Sequence, residues 1–295
     1  MNPALSNYYR ILAGQVLPRF KTCDLAPKID EARQILQCCE LCERLCLVDR
    51  AAGEQGYCTV GTRMSVSSAF DHYGEEKFFV PSFTVFFNCC TFACRFCQNW
   101  EISQAQCDET ARFVTEPELA RAIDRHSYCK NVNLVGGEPT PYVPFILETL
   151  RHVSADIAVV WNSNFYMSER SMKLLRNVVD VYLSDFKFGN DDCALRLSDA
   201  PDYSAIVRRN HLSAFKDAEL VIRHLILPTH LECCTKPVLE FIAQHFGTGV
   251  VVNLMDQYRP CYEADSLNDV NRRITNDEFT RAVDVARKLG LNFVT

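Results

Sequence analysis

From residue 83 to the C-terminus, short runs rich in β-branched and aromatic residues alternate with helical patterns. No other feature of the chain constrains its fold as tightly. The runs fall at 83–88, 131–135, 157–161, 181–185, 220–227, 250–255 and 291–294. Most are continuously apolar, as expected of strands buried on both faces. The helical patterns between them begin near 115 and cover 142–152, 168–177, 203–218, 236–246 and 276–289. Thr115 and Glu118 have the spacing of a capping box, in which each side chain satisfies the other's backbone N–H. Alternation of this kind requires right-handed crossovers and a parallel sheet. The predicted class is therefore α/β, with the sheet either open or curled into a barrel. In both arrangements the chemistry gathers at the C-terminal ends of the strands.

Composition limits the function classes. The chain has 295 residues, 48% of them hydrophobic, which allows a sizeable core and excludes a disordered chain. Lys and Arg number 31 against 37 Asp and Glu, a formal charge of −6. That balance argues against a broad nucleic-acid-binding surface, and Arg208-Arg209 and Arg272-Arg273 are too short to reverse it. The longest uncharged stretch, 78–94, is broken by Pro81, Ser82 and Asn88 and falls short of the ~20 apolar residues of a membrane span. Residues 1–23 hold Arg10, Arg19 and Lys21 and no acid, which reads as an N-terminal helix rather than a transit peptide. The expectation is a soluble cytoplasmic protein with no nucleic-acid or membrane partner.

Cysteine is the compositional outlier, at 16 residues. In a reducing compartment, clustered thiolates hold metal more readily than they form disulfides. Cys38, Cys39, Cys42, Cys46 and Cys58 crowd one segment, and Cys89, Cys90, Cys94 and Cys97 crowd another. Residues 1–75 lie outside the strand–helix rhythm, and Gly53, Gly56 and Gly61 mark a loop-rich knuckle there. A boundary is expected near 75–80, between a cysteine-rich extension (1–75) and the α/β domain (76–295).

The second group, Cys90-x3-Cys94-x2-Cys97, directly follows the first predicted strand. Three thiolates this close suit three corners of a cubane iron–sulfur cluster. Three ligands for four irons leave one iron open, the mark of a reactive cluster. On spacing alone two alternatives stand: buried apolar cysteines, and a zinc site completed by Cys89 or Cys107.

This motif, with Phe96 before its last cysteine, resembles the signature of the radical S-adenosylmethionine (SAM) superfamily. Gly136-Gly137-Glu138-Pro139-Thr140 ends the second predicted strand and resembles that family's GGE segment. Cys97-Gln98-Asn99-Trp100, Trp161-Asn162-Ser163-Asn164 and Asp185-Phe186-Lys187 resemble the subgroup similar to pyruvate formate-lyase activating enzyme. The resemblance covers residues ~80–295. It implies a partial (β/α)6 TIM-like barrel and an oxidoreductase with a 4Fe-4S cluster and SAM as cofactors. SAM would chelate the open iron, and one electron would cleave it to methionine and a 5′-deoxyadenosyl radical that abstracts hydrogen from a substrate. An electron donor such as flavodoxin or ferredoxin is implied as a partner.

Residue roles follow from the same resemblance. The backbone at Phe96 would lie along the adenine. Gly136 and Gly137 let the chain approach the ligand without a Cβ, and Glu138 is an acceptor for an ammonium or for nearby backbone donors. Asn162, Ser163 and Asn164 lie where the family contacts the ribose; the family's segment often begins with Asp where this chain has Asn162. Asp185 is a candidate for a monovalent cation, Lys187 for the SAM carboxylate, and Arg223 a weaker candidate for the same anion.

The N-terminal set Cys39-x2-Cys42-x3-Cys46-x11-Cys58 offers four thiolates. A structural zinc and an auxiliary 4Fe-4S cluster both satisfy it. His230-Leu231-Glu232-Cys233-Cys234 reads as loop packing with free thiols rather than a metal site, and the loop from Met255 to Pro260 has polar groups suited to a pocket lining. The substrate is expected to be a protein or peptide, as for a glycyl-radical activating enzyme. A small metabolite is the alternative, and a non-catalytic iron–sulfur or zinc protein the rival from another class. Cys97 is followed by no second paired run of cysteines, as the ferredoxin-like insert of many activating enzymes would need.

Overall fold

The computed structural model describes residues 2–74, 76–104 and 112–295. Eight strands form one sheet in chain order: β1 (Val66–His72), β2 (Ser82–Phe87), β3 (Asn131–Gly136), β4 (Ala158–Ser163), β5 (Val181–Asp185), β6 (Glu219–Leu225), β7 (Val251–Met255) and β8 (Phe293–Val294). β1 is antiparallel to β2, and every later pair is parallel. The helices Glu116–Arg125, Val143–His152, Glu169–Leu175, Tyr203–Asp217, Lys236–His245 and Asn276–Lys288 stand between the parallel strands, close to their predicted positions. The capping box at Thr115 and Glu118 is formed.

Each parallel strand divides its side chains by parity. Val85, Leu134, Trp161 and Tyr182 point outward into the core shared with the helices. The inward set has two levels. At the lower level, Val160, Val181, Leu183, Val221 and Val251 form a second apolar cluster with Leu5, Tyr8, Ile11 and Phe79. The helix Ser6–Leu12 thus plugs the floor of the partial barrel. Glu219 at the start of β6 accepts from Asn7 N and Tyr8 N, two of the first-turn N–H groups that a helix leaves unbonded. Tyr8 Oη accepts from Asn131 Nδ2 at 2.8 Å, so its one polar atom is satisfied inside the floor. At the upper level the inward residues are polar: Thr84, Asn133, Asn162, Asp185 and Arg223 line a single cavity. Residues from β2 to β6 can share one cavity only because the sheet curls.

The first 75 residues add more than a knuckle. β1 extends the sheet, and Ile29, Ala32 and Ile35 of the helix Ala26–Ile35 join the outer core. Arg50 is buried, and its guanidinium donates to Gly61 O and to Pro141 O at 3.0 Å, which ties the knuckle to the start of the helix after β3. The strand β1 and the helix Asp191–Ser198 lie outside the sequence-predicted elements. The first is short of apolar residues because one face is exposed, and the second is shorter than three turns.

Candidate active site

The twelve residues named from the sequence for the cluster and SAM, from Cys90 to Lys187, all line the one cavity at the C-terminal ends of the strands. Each arrives on a strand end or on the loop just past it. Cys90, Cys94, Phe96 and Cys97 follow β2. Gly136, Gly137 and Glu138 end β3, Asn162–Asn164 end β4, and Asp185 and Lys187 end β5.

The cysteine loop is held by hydrogen bonds to its sulfurs and its backbone. Ser198 Oγ donates to Cys94 Sγ at 3.0 Å, Phe92 N to Cys90 Sγ at 3.4 Å, and Cys97 Sγ lies 3.2 Å from Ser103 Oγ. Ala93 N and Arg95 N donate to Ser198 O and Leu197 O. Burial pushes the Cys90 thiol well above its ordinary range and the Cys94 thiol up to about 11, with Lys187 acting against the rise at Cys94. Binding a metal cluster is the event that would make these groups thiolates, with release of their protons.

The glycines are required by the backbone itself. A Cβ at Gly136, where φ is +131°, would stand 2.2 Å from Phe87 N and O, and one at Gly137 would stand 1.9 Å from Cys89 O. The pair lets β3 close on the cysteine loop, and Gly137 N donates to Phe87 O at 2.8 Å. Glu138 is fully buried and saturated by protein donors: Thr140 N, Thr140 Oγ1, Ser163 Oγ and Asn164 N. Of the two uses foreseen for this carboxylate, the structure displays the one toward local donors, a clamp between the ends of β3 and β4. Burial pushes its pKa up and these donors act against the rise.

Asp185 is the hub of the far wall. Arg223 Nε donates to it at 2.8 Å and Lys187 Nζ at 2.5 Å, while Arg223 Nη2 donates to Asn162 Oδ1 at 2.6 Å. Burial alone would raise Asp185; the two cations outweigh it and hold the carboxyl at about 2. Asn164 Nδ2 donates to Thr91 Oγ1 and approaches Cys90 Sγ at 3.7 Å. Phe96 is buried with its ring edge-on to Phe188 and Tyr258.

Sequence reasoning missed two participants. Asn133 sits mid-strand on β3, and its buried Oδ1 has no hydrogen-bond partner although it lines the cavity. An orphaned acceptor facing a polar cavity fits a ligand bearing N–H or O–H donors. Its signal was a polar residue inside an apolar strand run. Ser198 carried no signal, because only the fold brings it to Cys94.

The N-terminal thiols sit outside this cavity but beside it. Cys42, Cys46, Cys58 and Cys39 face one another closely enough for their charges to interact, and burial pushes Cys42 well above its ordinary range. Cys39 and Leu47 pair through Leu47 N to Cys39 O, Tyr57 N donates to Cys46 Sγ at 3.3 Å, and Leu45, Leu47 and Thr59 have positive φ. Cys42 bridges to Met167, and Arg44 donates to Thr91 O inside the Cys90–Cys97 loop. Cys107, weighed above as a zinc ligand, lies outside the described residues. Among the described residues, no helix is long and apolar enough to cross a membrane.

The family model of the radical SAM superfamily matches residues 84–242. The chain belongs to the radical SAM superfamily. The matched span runs from within β2 into the helix after β6, so it holds the C-terminal ends of β2 to β6. "Uncharacterized protein MJ0674" of Methanocaldococcus jannaschii is 46% identical over 272 residues, 90% of this chain and 79% of that protein. "Uncharacterized protein MJ0808" of the same organism is 30% identical over 176 residues, 52% of this chain and 50% of that protein. Among solved structures, SuiB of Streptococcus suis bound to S-adenosylmethionine superposes with a TM-score of 0.50 at 13% identity, over 70% of this chain and 48% of that one. The chain thus spans about half the length of SuiB, and the likeness is one of fold. The radical SAM core, its 4Fe-4S cluster and its TIM-like barrel follow from family membership.

Proposed function

We propose that Cys90, Cys94 and Cys97 ligate the cluster and that the enzyme removes a hydrogen atom from a protein or peptide, as a glycyl-radical activating enzyme does. The observation that carries this reading is the convergence of three thiols, the glycine pair and the Asp185–Lys187–Arg223 group on one cavity. The cluster and SAM, when bound, supply a one-electron cleavage and a 5′-deoxyadenosyl radical. The chain's own residues position and shield. Ser198, Phe92 and Asn164 donate to the ligand sulfurs, which tunes their electron density. Lys187 and Arg223 present positive charge for a carboxylate, and Asp185 keeps both in place. Asp185 is engaged by two cations, so a monovalent cation forms no part of the proposal. Asn133 Oδ1 accepts from an ammonium or a ribose hydroxyl, and Phe96 closes the wall along the adenine.

Next in the chain to the cavity-lining Gln98 and Asn99, Trp100 stacks on Tyr262 at 5.5 Å between ring centroids, and the two remain about two-fifths exposed at 42% and 41%. Exposed aromatic pairs suit a polypeptide loop better than a small polar metabolite. We assign Cys39, Cys42, Cys46 and Cys58, in the extension 1–75, to an auxiliary 4Fe-4S cluster rather than zinc. The N–H that Tyr57 donates to Cys46 Sγ supports it. Flavodoxin or ferredoxin is the proposed electron donor. The test is incubation of the reconstituted, dithionite-reduced protein with SAM. 5′-Deoxyadenosine and methionine are expected, and their absence from properly clustered samples would sink the reading. Deuterium transfer into deoxyadenosine from labelled polypeptides but not from labelled metabolites is the expected substrate result; the reverse pattern selects the small-molecule alternative.

A further inference from the structure

The loops after β5 and β6 bring together a set of soft ligands that the SAM cavity does not use. Cys193 lies in the helix Asp191–Ser198, Cys233 in the π-turn Leu231–Thr235, and His230 caps that turn. Their ligand atoms all lie within 4.8 Å of one another. The two sulfurs are 4.0 Å apart, against about 3.8 Å for two thiolates on a tetrahedral zinc with Zn–S near 2.3 Å. His230 is buried and its ring is fixed: Nδ1 lies 2.7 Å from Pro228 O. A carbonyl only accepts, so Nδ1 carries the proton and Nε2 keeps its lone pair. That arrangement is the usual orientation of a zinc-ligating imidazole. Asp269 Oδ2 stands 3.6 Å from Nε2.

The surrounding backbone builds this juxtaposition rigidly. Asn190 Nδ2 donates to Cys233 O at 2.8 Å, and a Cβ at Gly189 would stand 2.6 Å from the same oxygen. Only a glycine lets the β5 loop clasp the π-turn this closely. We propose that Cys193, His230 and Cys233 bind one zinc ion, with the carboxylate of Asp269, now beside the imidazole, moving in to the fourth corner. Thiolate and imidazole donors select zinc over magnesium or calcium. Arg196 donates to Nε2 at 3.3 Å and to both oxygens of Asp269. It also hydrogen-bonds Cys193; on metal binding it withdraws from the sulfur and the imidazole and stays on the carboxylate. Two thiolates, one carboxylate, one zinc and one guanidinium then sum to zero charge. The ion pins the first turn of a helix whose last turn holds the cluster loop through Ser198 and Leu197. It is thus a strut for the active site, and its existence does not depend on the substrate reading above.

The test uses untagged, anaerobically reconstituted holoprotein, with zinc and iron counted per chain by mass spectrometry. Cys193→Ser with Cys233→Ser is expected to lose one zinc per chain while iron is unchanged, whatever the N-terminal cysteines hold. As a check independent of that variant's folding, Co²⁺ added to wild-type holoprotein from which a chelator has removed the zinc is expected to give thiolate charge-transfer and tetrahedral d–d bands that Zn²⁺ abolishes. His230→Ala is expected to weaken cobalt binding about tenfold or more. Retention of zinc in the double variant overturns the proposal. So does a wild-type protein with neither zinc nor cobalt bands, or peptide mapping that finds Cys193 and Cys233 joined as a disulfide in the anaerobic protein.

Discussion

Glu138→Gln keeps the size of the side chain and changes one acceptor into a donor, so it asks what the buried carboxylate holds. Oε1 receives Thr140 N, Thr140 Oγ1 and Ser163 Oγ, and Oε2 receives Asn164 N at 2.9 Å. The least costly placement of the new amide puts its nitrogen at the Oε1 position. The two hydroxyls then rotate to accept, and Thr140 N alone faces a donor. One orphaned buried N–H costs about 1–3 kcal/mol, and the remaining bonds drop from charge-assisted to neutral strength. Relief from burying a charge offsets part of that, leaving a net loss of about 2–4 kcal/mol. For a chain of this size about 2 °C accompanies each kcal/mol, so Tm is expected to fall by about 4–8 °C. The assay is thermal unfolding followed by circular dichroism, without SAM. A Tm within about 1 °C of wild type, together with collapse of SAM binding, would refute the clamp. It would mean that the carboxylate serves the ligand and not the β3–β4 junction.

Further outcomes follow from the same geometry. Cys94→Ala is expected to abolish SAM cleavage, whereas Cys42→Ala leaves the visible absorption of the SAM-binding cluster partly intact; full turnover in the Cys94 variant contradicts the ligand assignment. Ser198→Ala removes the hydroxyl donated to Cys94 and is expected to make the cluster's midpoint potential more negative by redox titration, and an unchanged potential would remove Ser198 from the site. His211 and His224 are buried and held at about 4 by desolvation, below the ordinary 6.5. Across that window the unfolded chain binds more protons than the folded one, so their contribution is whole above about 6.5 and fades as pH falls toward about 4. Denaturation midpoints are expected to decline across that range, less steeply in His224→Asn. Asp185, held at about 2, behaves at lower pH: its contribution is present above about 3.8 and is lost as pH falls through about 2, a loss that Asp185→Asn lacks.

Much of the site was legible before any coordinate. Cys90, Cys94 and Cys97 are close in sequence, and Gly136–Glu138 and Asp185–Lys187 are short segments placed at predicted strand ends. A parallel sheet carries all such ends to one edge, so local spacing and strand order together implied one cavity. Phe96 and Asn162–Asn164 followed for the same reason. The partners that hold these residues were not legible. Arg223 on Asp185 and Asn162, Ser198 on Cys94, and the four donors on Glu138 join segments that local patterns cannot relate. The orphaned oxygen of Asn133 appeared only when the strand's inward parity was known.

The sequence by itself determined the α/β class, the parallel order of its central strands and the cysteine signature, because strand period, helical period and ligand spacing are local quantities. The tertiary structure alone decided that the helix Ser6–Leu12 plugs the barrel floor, that β1 extends the sheet, and that Cys193 meets His230 and Cys233. Each of these depends on side chains distant in the chain meeting across a packed interior. Only the closing of the sheet selects such contacts.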